Sequence, residues 1–437
     1  MFRSSVLALL TLALFSSVAH SEPGDWLGAP TTPLTPTETP RELLGTSVDV
    51  AGARIYRLAF DNRQISPSNV FSVDGKYLYL LQSKVGVLQI EVPSFRLVRT
   101  LALPCNGGSI ALSSEGLVVG SDDAQTVWIV SPSSLRVLRS LKPAATRFVT
   151  ATPRSPLVFV SDGKNKLFSF DARGKGDIVG YQPETFQFDE VVNDDHRVIR
   201  LDSFSQTVLS PDADALYCAS SGRIYRFTIQ NRTLTPDVNS NTIAYLFSDN
   251  VNLSLSPDGR YVTLPREAAV SGFGYKDGPN LNETWIFKVN NLREPVLRLD
   301  GTVGRLSLGF DQTAGRLYVV VGNRGFDSSG TVKIFDTKGV LIKTLGLPSQ
   351  RNDRFGDWND TNRWPSGGWT NVHPISVHPK GNCFLMGGAD GLYWVELPQV
   401  FTPTPDKPAR TNPFNGEGFG GGGFGTPGKW GGGPIKF

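Results

Sequence analysis

One unit recurs seven times along this chain, and it sets the architecture: a short polar turn, a brief apolar strand, a second gap and another strand. The turn is clearest at Val73-Asp74-Gly75-Lys76, Ser210-Pro211-Asp212-Ala213 and Ser256-Pro257-Asp258-Gly259. Looser forms are Ser113-Ser114-Glu115-Gly116, Thr152-Pro153-Arg154-Ser155, Phe310-Asp311-Gln312-Thr313 and Val377-His378-Pro379-Lys380. Aspartate bonds its own backbone and glycine accepts a positive φ, so these sequences reverse the chain cheaply. The strands that follow alternate apolar and polar positions, as in Leu167-Phe168-Ser169-Phe170 and Ile224-Tyr225-Arg226-Phe227.

A small apolar element precedes each turn, as at Ser109–Leu112, and a more polar one closes several units, as at Thr337 to Leu345. Four strands per unit, repeated, predict an all-β, single seven-bladed β-propeller over residues 45–400. The turns step by about 40 residues at first and by about 46 to 68 later, so six or eight blades stay compatible with the spacing. Ring closure favours seven. The last unit lacks an outer strand, and Arg54-Ile55-Tyr56-Arg57-Leu58-Ala59-Phe60 has no blade of its own. An N-terminal strand added to the last blade leaves no open edge there.

The flanks have a different character. Arg3, the apolar run Val6 to Val18, and Ala19 and Ser21 before Glu22 match an export signal over residues 1–21. The expected location is secreted, periplasmic or cell-surface, with no membrane span in the mature chain. Residues 22–44 read as a Pro/Thr-rich linker, and residues 401–437 as a Gly/Pro-rich disordered tail.

The repeats resemble the YVTN/WD40-like propeller superfamily through Ser256-Pro257-Asp258-Gly259-Arg260-Tyr261-Val262 and Val332-Lys333-Ile334-Phe335-Asp336. The recurring Trp-Asp and Gly-His pairs of true WD40 repeats are missing. The resemblance implies the fold. Its members include lactonases, quinoprotein dehydrogenases, surface-layer proteins and binding modules, so it does not choose a function.

The sequence names no cofactor, catalytic set or metal-ligand set. Net charge is +3 with 43 basic and 40 acidic residues, which leaves no nucleic-acid footprint. The three cysteines, Cys105, Cys218 and Cys383, are too scattered for a disulfide scaffold, although one pair is compatible with the count. Cys105 lies in a tight Cys-Asn-Gly-Gly loop with no basic neighbour to activate it. His378 replaces the turn serine and reads as structural, while His373 precedes Pro374 in a loop. His196 lies among Glu190, Asp194 and Asp195, either a metal or acid/base cluster or a solvated loop.

The strongest binding signal is the insertion between Pro348 and Pro374. It carries Arg354, Trp358, Asp360, Arg363, Trp364 and Trp369, three of the eight tryptophans within one loop. Indoles interleaved with arginine and aspartate suit a protein or carbohydrate partner; the plainer reading is a self-packed loop. The expected function is an exported, non-catalytic binding or structural propeller that presents loops to a partner. The alternative is a propeller enzyme of lactonase-like hydrolase or quinone-dependent oxidoreductase type.

Overall fold

The computed structural model describes residues 35–401 apart from 51, 60–64, 193–194, 205, 221–222, 242–252, 266–282, 301–307, 322–330, 347–374 and 389–390. Seven antiparallel sheets, consecutive in sequence, form the blades of a propeller, and a two-stranded ribbon lies between the third and fourth. Blade 1 runs outward through Ile65–Phe71, Tyr77–Gln82, Gly86–Glu91 and Arg96–Ala102. Blades 2 to 6 begin with the inner strands Ser109–Ser113, Phe148–Ala151, Gln206–Leu209, Ser254–Leu255 and Leu308–Asp311. They end with the outer strands Val137–Leu141, Val179–Tyr181, Thr233–Asn241, Asn291–Asp300 and Leu341–Gly346. No helix among the described residues is long and apolar enough to cross a membrane.

Blade 7 is built from both ends of the domain. Ser376–Val377, Cys383–Gly388 and Gly391–Glu396 come from the C-terminal side, and Ala53–Leu58 adds outside them. The register pairs Arg54 with Glu396, Ile55 with Val395, Tyr56 with Trp394 and Arg57 with Tyr393. The N-terminal closing strand expected from the sequence is therefore present.

The linker expected at 22–44 needs correction at its C-terminal end. Thr37–Glu42 is a fifth strand on blade 1, paired with Arg96–Thr100, and Leu44–Val50 is a fifth strand on blade 7. Between them Leu43 is fully buried, and its N–H donates to Phe95 O at 3.0 Å. The Pro/Thr composition misled because an outermost strand tolerates proline: Pro40 falls at the register shift between Glu38 and Arg41.

The repeated turns earn their sequence locally and at the seams between blades. Ser72 Oγ accepts the Tyr77 N–H at 2.9 Å and donates to Asp74 Oδ1 at 2.7 Å, and Asp74 also accepts the Lys76 N–H. Ser256, Asp258, Arg260 and Tyr261 repeat the same three bonds. Gly75 adopts φ 72°, and a Cβ there would lie 2.6 Å from His378 Nε2 of blade 7. His378 is buried; its Nδ1 accepts the Lys380 N–H at 3.2 Å, which assigns the proton to Nε2, donated to Gly75 O at 2.9 Å. The same ring stands edge-on to Phe71 and Trp394. Other turns reach across in the same way, Thr152 Oγ1 to Pro211 O at 2.8 Å and the Asn382 N–H to Asp311 Oδ2 at 2.7 Å.

The core is accordingly a ring of seams. Between blades 7 and 1, Leu43, Leu58, Phe71, Leu78, Phe95, Leu385 and Trp394 pack together. Between blades 3 and 4 the seam is aromatic, with Phe159, Tyr181, Phe186, Phe188, Phe204, Tyr225 and Phe227. Burial pushes the Tyr79 and Tyr181 phenols up to about 12, with side-chain hydrogen bonds from Gln89 and Ser169 opposing. Each phenol is raised in the folded chain, so its contribution is intact below about pH 10 and is lost as the pH climbs toward 12. Chemical denaturation at stepped pH should show stability falling in that window, by up to about 1.4 kcal/mol per pH unit for each phenol. Tyr181→Phe should flatten the slope, and an unchanged slope in both Tyr79→Phe and Tyr181→Phe would refute the assignment.

Candidate interaction face

Because neighbouring strands alternate in direction, the connections sort onto two faces. Inner-to-second and third-to-outer turns lie on one face. They are short and mutually pinned, as at Ser72–Lys76 and Asp336–Val340. Second-to-third and blade-to-blade connections lie on the other. The strand ends flanking residues 242–252, 266–282, 301–307, 322–330 and 347–374 all open on this second face. Arg354, Trp358, Asp360, Arg363, Trp364 and Trp369, and also His373, lie outside the described residues. The flanking strands Leu341–Gly346 and Ser376–Val377 nevertheless fix the face from which that stretch departs and to which it returns.

The connection between blades 3 and 4 is described, and it is not the polar loop that the sequence offered. Gln187–Val192 and Asp195–Arg200 form an antiparallel ribbon. Its root is buried by Phe188, whose ring centroid lies 4.6 Å from Tyr225 and 5.4 Å from Phe227. Glu190 stands opposite Arg197, His196 opposite Val191 and Asp195 opposite Val192. Asp194 lies outside the described residues. The cluster around His196 thus sits on a hydrogen-bonded ladder whose base belongs to the core.

At the inner rim of the same face, the seam between blades 2 and 3 gathers charge that sequence reading missed. Asp122 follows the second strand of blade 2, Asp162 follows that of blade 3, and Arg147 immediately precedes Phe148, which opens the inner strand of blade 3. Arg147 Nε lies 3.8 Å from Asp122 Oδ2, and its guanidinium stands 5.1 Å from the Phe148 ring centre. Thr146 Oγ1 donates to Ser121 O at 2.8 Å and lies 3.4 Å from Asp122 Oδ1. Asp162 Oδ1 is occupied by the N–H groups of Lys164 and Lys166. Burial raises the Asp122 carboxyl above the usual aspartate range, with Asp123 and Asp162 adding to it and Arg147 and Thr146 opposing. A half-buried cation beside carboxylates and an aromatic edge offers polar contacts to a ligand at the mouth. The sequence signal was the recurrence of Ser-Asp after the second strand, at Ser121-Asp122 and Ser161-Asp162. Among the described residues, no three His, Cys, Asp or Glu side chains converge to hold a metal ion.

The cysteines stand apart from one another and form no disulfide. Cys105 and Cys218 are buried, and Cys383 Sγ lies 3.2 Å from Gly381 O. Burial pushes the Cys105 thiol up to about 11, and burial followed by Glu396 pushes Cys383 up to about 12. At pH 8 Cys105 then holds about a thousand thiols per thiolate, too few for nucleophilic or redox chemistry. Native protein should resist a thiol-specific reagent at that pH, and denatured protein should react at all three positions. Rapid labelling of native Cys105 would contradict this assignment.

No family model matches the chain, and no curated protein matches it. Among solved structures, the β-propeller domain of Cps50 (Swd1) from Myceliophteria thermophila superposes with a TM-score of 0.51 at 12% identity, covering 82% of this chain and 100% of that one. At that identity the likeness speaks for architecture alone. The chain is a seven-bladed β-propeller that resembles WD40/YVTN-type propellers.

Proposed function

We propose that this is an exported, non-catalytic binding or structural propeller that meets a protein or glycan partner through the face where its long connections leave. One observation carries the reading: the two faces are built unequally. One is closed by short turns bonded blade to blade, while the other receives the strand ends of every long connection. Propellers use a rigid ring to hold variable loops, and binding groups concentrate on loops held by such scaffolds. Trp358, Trp364 and Trp369, with Arg354, Asp360 and Arg363, are the residues proposed to make the contact. Arg147 and Asp122 supply polar groups at the rim of the same face. Export rests on the signal-like N-terminus.

The test is a photo-crosslinker placed at Trp364 and, separately, at Lys76 on the pinned face. With protein produced in its own cell, adducts should form from Trp364 and be absent from Lys76. A panel of immobilised glycans covers the carbohydrate case, in which Trp364→Ala should abolish binding with an unchanged melting temperature. Adducts only from Lys76, or none from either position together with no glycan bound, would reject the reading.

A further inference from the structure

We propose that Asn106 is a site of self-modification, where the native loop Cys105-Asn106-Gly107-Gly108, assisted by the Ser83 hydroxyl, turns the Asn106 amide into a carboxylate without an enzyme. The main-chain nitrogen of Gly107 attacks Asn106 Cγ, and a cyclic imide forms as the Cγ–Nδ2 bond breaks. Ammonia leaves and takes with it the proton of the Gly107 N–H. Water then opens the ring at either carbonyl, which yields aspartate or, with the main chain rerouted through Cγ, isoaspartate. Nothing is oxidised or reduced, and water is the only co-reactant. Asn106 is exposed, so water reaches it.

The reaction needs a glycine after the asparagine, an unengaged main-chain N–H, and room for the two residues to turn toward each other. Four asparagine–glycine or aspartate–glycine pairs lie wholly among the described residues, and three are held fast. A Cβ would lie 2.6 Å from His378 Nε2 at Gly75, 2.5 Å from the Phe148 ring at Gly163 and 2.7 Å from Pro211 at Gly259. The aspartates before them accept the N–H groups of Lys76, Lys164 and Arg260, and Gly75 and Gly259 donate their own to Ser72 O and Ser256 O. Gly107 differs. Its φ is 137°, and apart from its chain neighbours no described heavy atom lies within 4 Å of the Cβ position. Among the described residues, no hydrogen bond engages its N–H.

The electrophile is prepared as well. Ser83 Oγ donates to Asn106 Oδ1 at 2.8 Å, which draws charge toward the oxygen where it gathers as Gly107 adds. The bond takes the oxygen and leaves Nδ2, the departing group, outside it. Ser83 lies in the turn between the second and third strands of blade 1, and Asn106 in the connection to blade 2. The new carboxylate therefore appears on the face where the long connections leave. Isoaspartate also lengthens the main chain between two anchored points. Cys105 O accepts the Lys84 N–H at 2.6 Å, and Gly108 lies so close to Gly120 that a Cβ would overlap its oxygen. Aspartate keeps the native chain length, so the folded loop favours it.

The experiment holds the full chain at mildly alkaline pH over weeks, beside a synthetic peptide of the same local sequence, and digests each sample for mass spectrometry. The fragment holding residue 106 should gain about 1 Da as ammonia is released. Native chain should convert within about tenfold of the peptide's rate, because the loop leaves both reacting atoms free. Its ratio of aspartate to isoaspartate should exceed the peptide's by about twofold or more, a shift that conversion through unfolded molecules would not produce. Ser83→Ala should slow conversion by about fivefold. Rate and product ratio in the unsubstituted chain decide the matter should that variant fail to fold. No mass gain at residue 106, conversion more than about a hundredfold slower than in the peptide, or the peptide's own product ratio overturns the proposal. So does an unchanged rate in folded Ser83→Ala.

Discussion

A chain that begins at residue 60 should not unfold cooperatively and should aggregate, while one that begins at residue 35 should unfold as the full chain does. The first deletion removes Thr37–Glu42, Leu44–Val50 and Ala53–Leu58, three strands that serve two blades. Blade 7 loses its outer strand and exposes the edge of Gly391–Glu396. Leu43, Ala53, Ile55 and Leu58, each at most 1% exposed, leave two of the seam clusters. Fully buried aliphatic side chains contribute roughly 1.5–3 kcal/mol each, so the loss is on the order of 5–10 kcal/mol, comparable with the whole stability of a domain. Trp394, fully buried against Phe71, Phe95 and His378, would face solvent on the side that Leu43 and Leu58 now cover. Light scattering and denaturant titration read the outcome directly. A cooperative transition at an unchanged midpoint in the shorter chain would show that the ring is held shut elsewhere.

The same residues show what a single sequence can and cannot tell. Blade logic was legible because each repeat spends its residues on local chemistry: Ser256 and Asp258 must cap their turn, and Gly259 must take φ 71° beside Pro211. Closure was legible because Arg54 to Leu58 alternates like a strand and has no blade of its own. The two fifth strands were not. Thr37–Glu42 has no apolar alternation, for its ladder lies at the rim and only Leu43 beyond it is buried deeply. Composition measures the capacity to form a core, and an outermost strand needs main-chain bonds rather than a core.

The candidate face divides along the same line. The tryptophan insertion stood out by composition, and topology assigns its strand ends to the face that also bears the ribbon Gln187–Arg200. The rim pair Arg147 and Asp122 was missed, because the Ser-Asp recurrence marks the aspartate alone and no periodicity connects it to Arg147 on the next blade. His378 went the other way. Its place in a turn motif marked it as structural, and the structure adds the reason, a bond across the seam that closes the ring.

Replacing Asp311 with alanine should cost about 3–5 kcal/mol, the order expected when several donors lose one shared buried acceptor. Asp311 is 1% exposed and stands where other repeats place the turn serine. It accepts the Ala314 N–H at 2.8 Å within its own turn, the Asn382 N–H at 2.7 Å from blade 7, and the Tyr318 hydroxyl. Burial first, then the Asp311 charge, drives the Tyr318 phenol far above its ordinary range, so the hydroxyl remains a donor and needs its acceptor. Alanine leaves these donors without that acceptor, at roughly 1–3 kcal/mol for each donor that water cannot reach. The damage should spread. Nearby Arg316, 7% exposed, donates to Asn382 Oδ1 at 2.9 Å and Pro398 O at 3.0 Å, and also to Gln399 O, beneath the Phe401 ring. Asn382 belongs to both sets of bonds, so loosening it also loosens the point where the chain leaves the last blade. Asp311→Asn keeps an acceptor oxygen and most of the volume, and it should lose clearly less stability than alanine. Denaturant melts of the two variants, with amide exchange at Asn382 and Cys383, separate a network from a filler. Equal losses for asparagine and alanine, or unchanged exchange at Asn382 in the alanine variant, would show that Asp311 only occupies space.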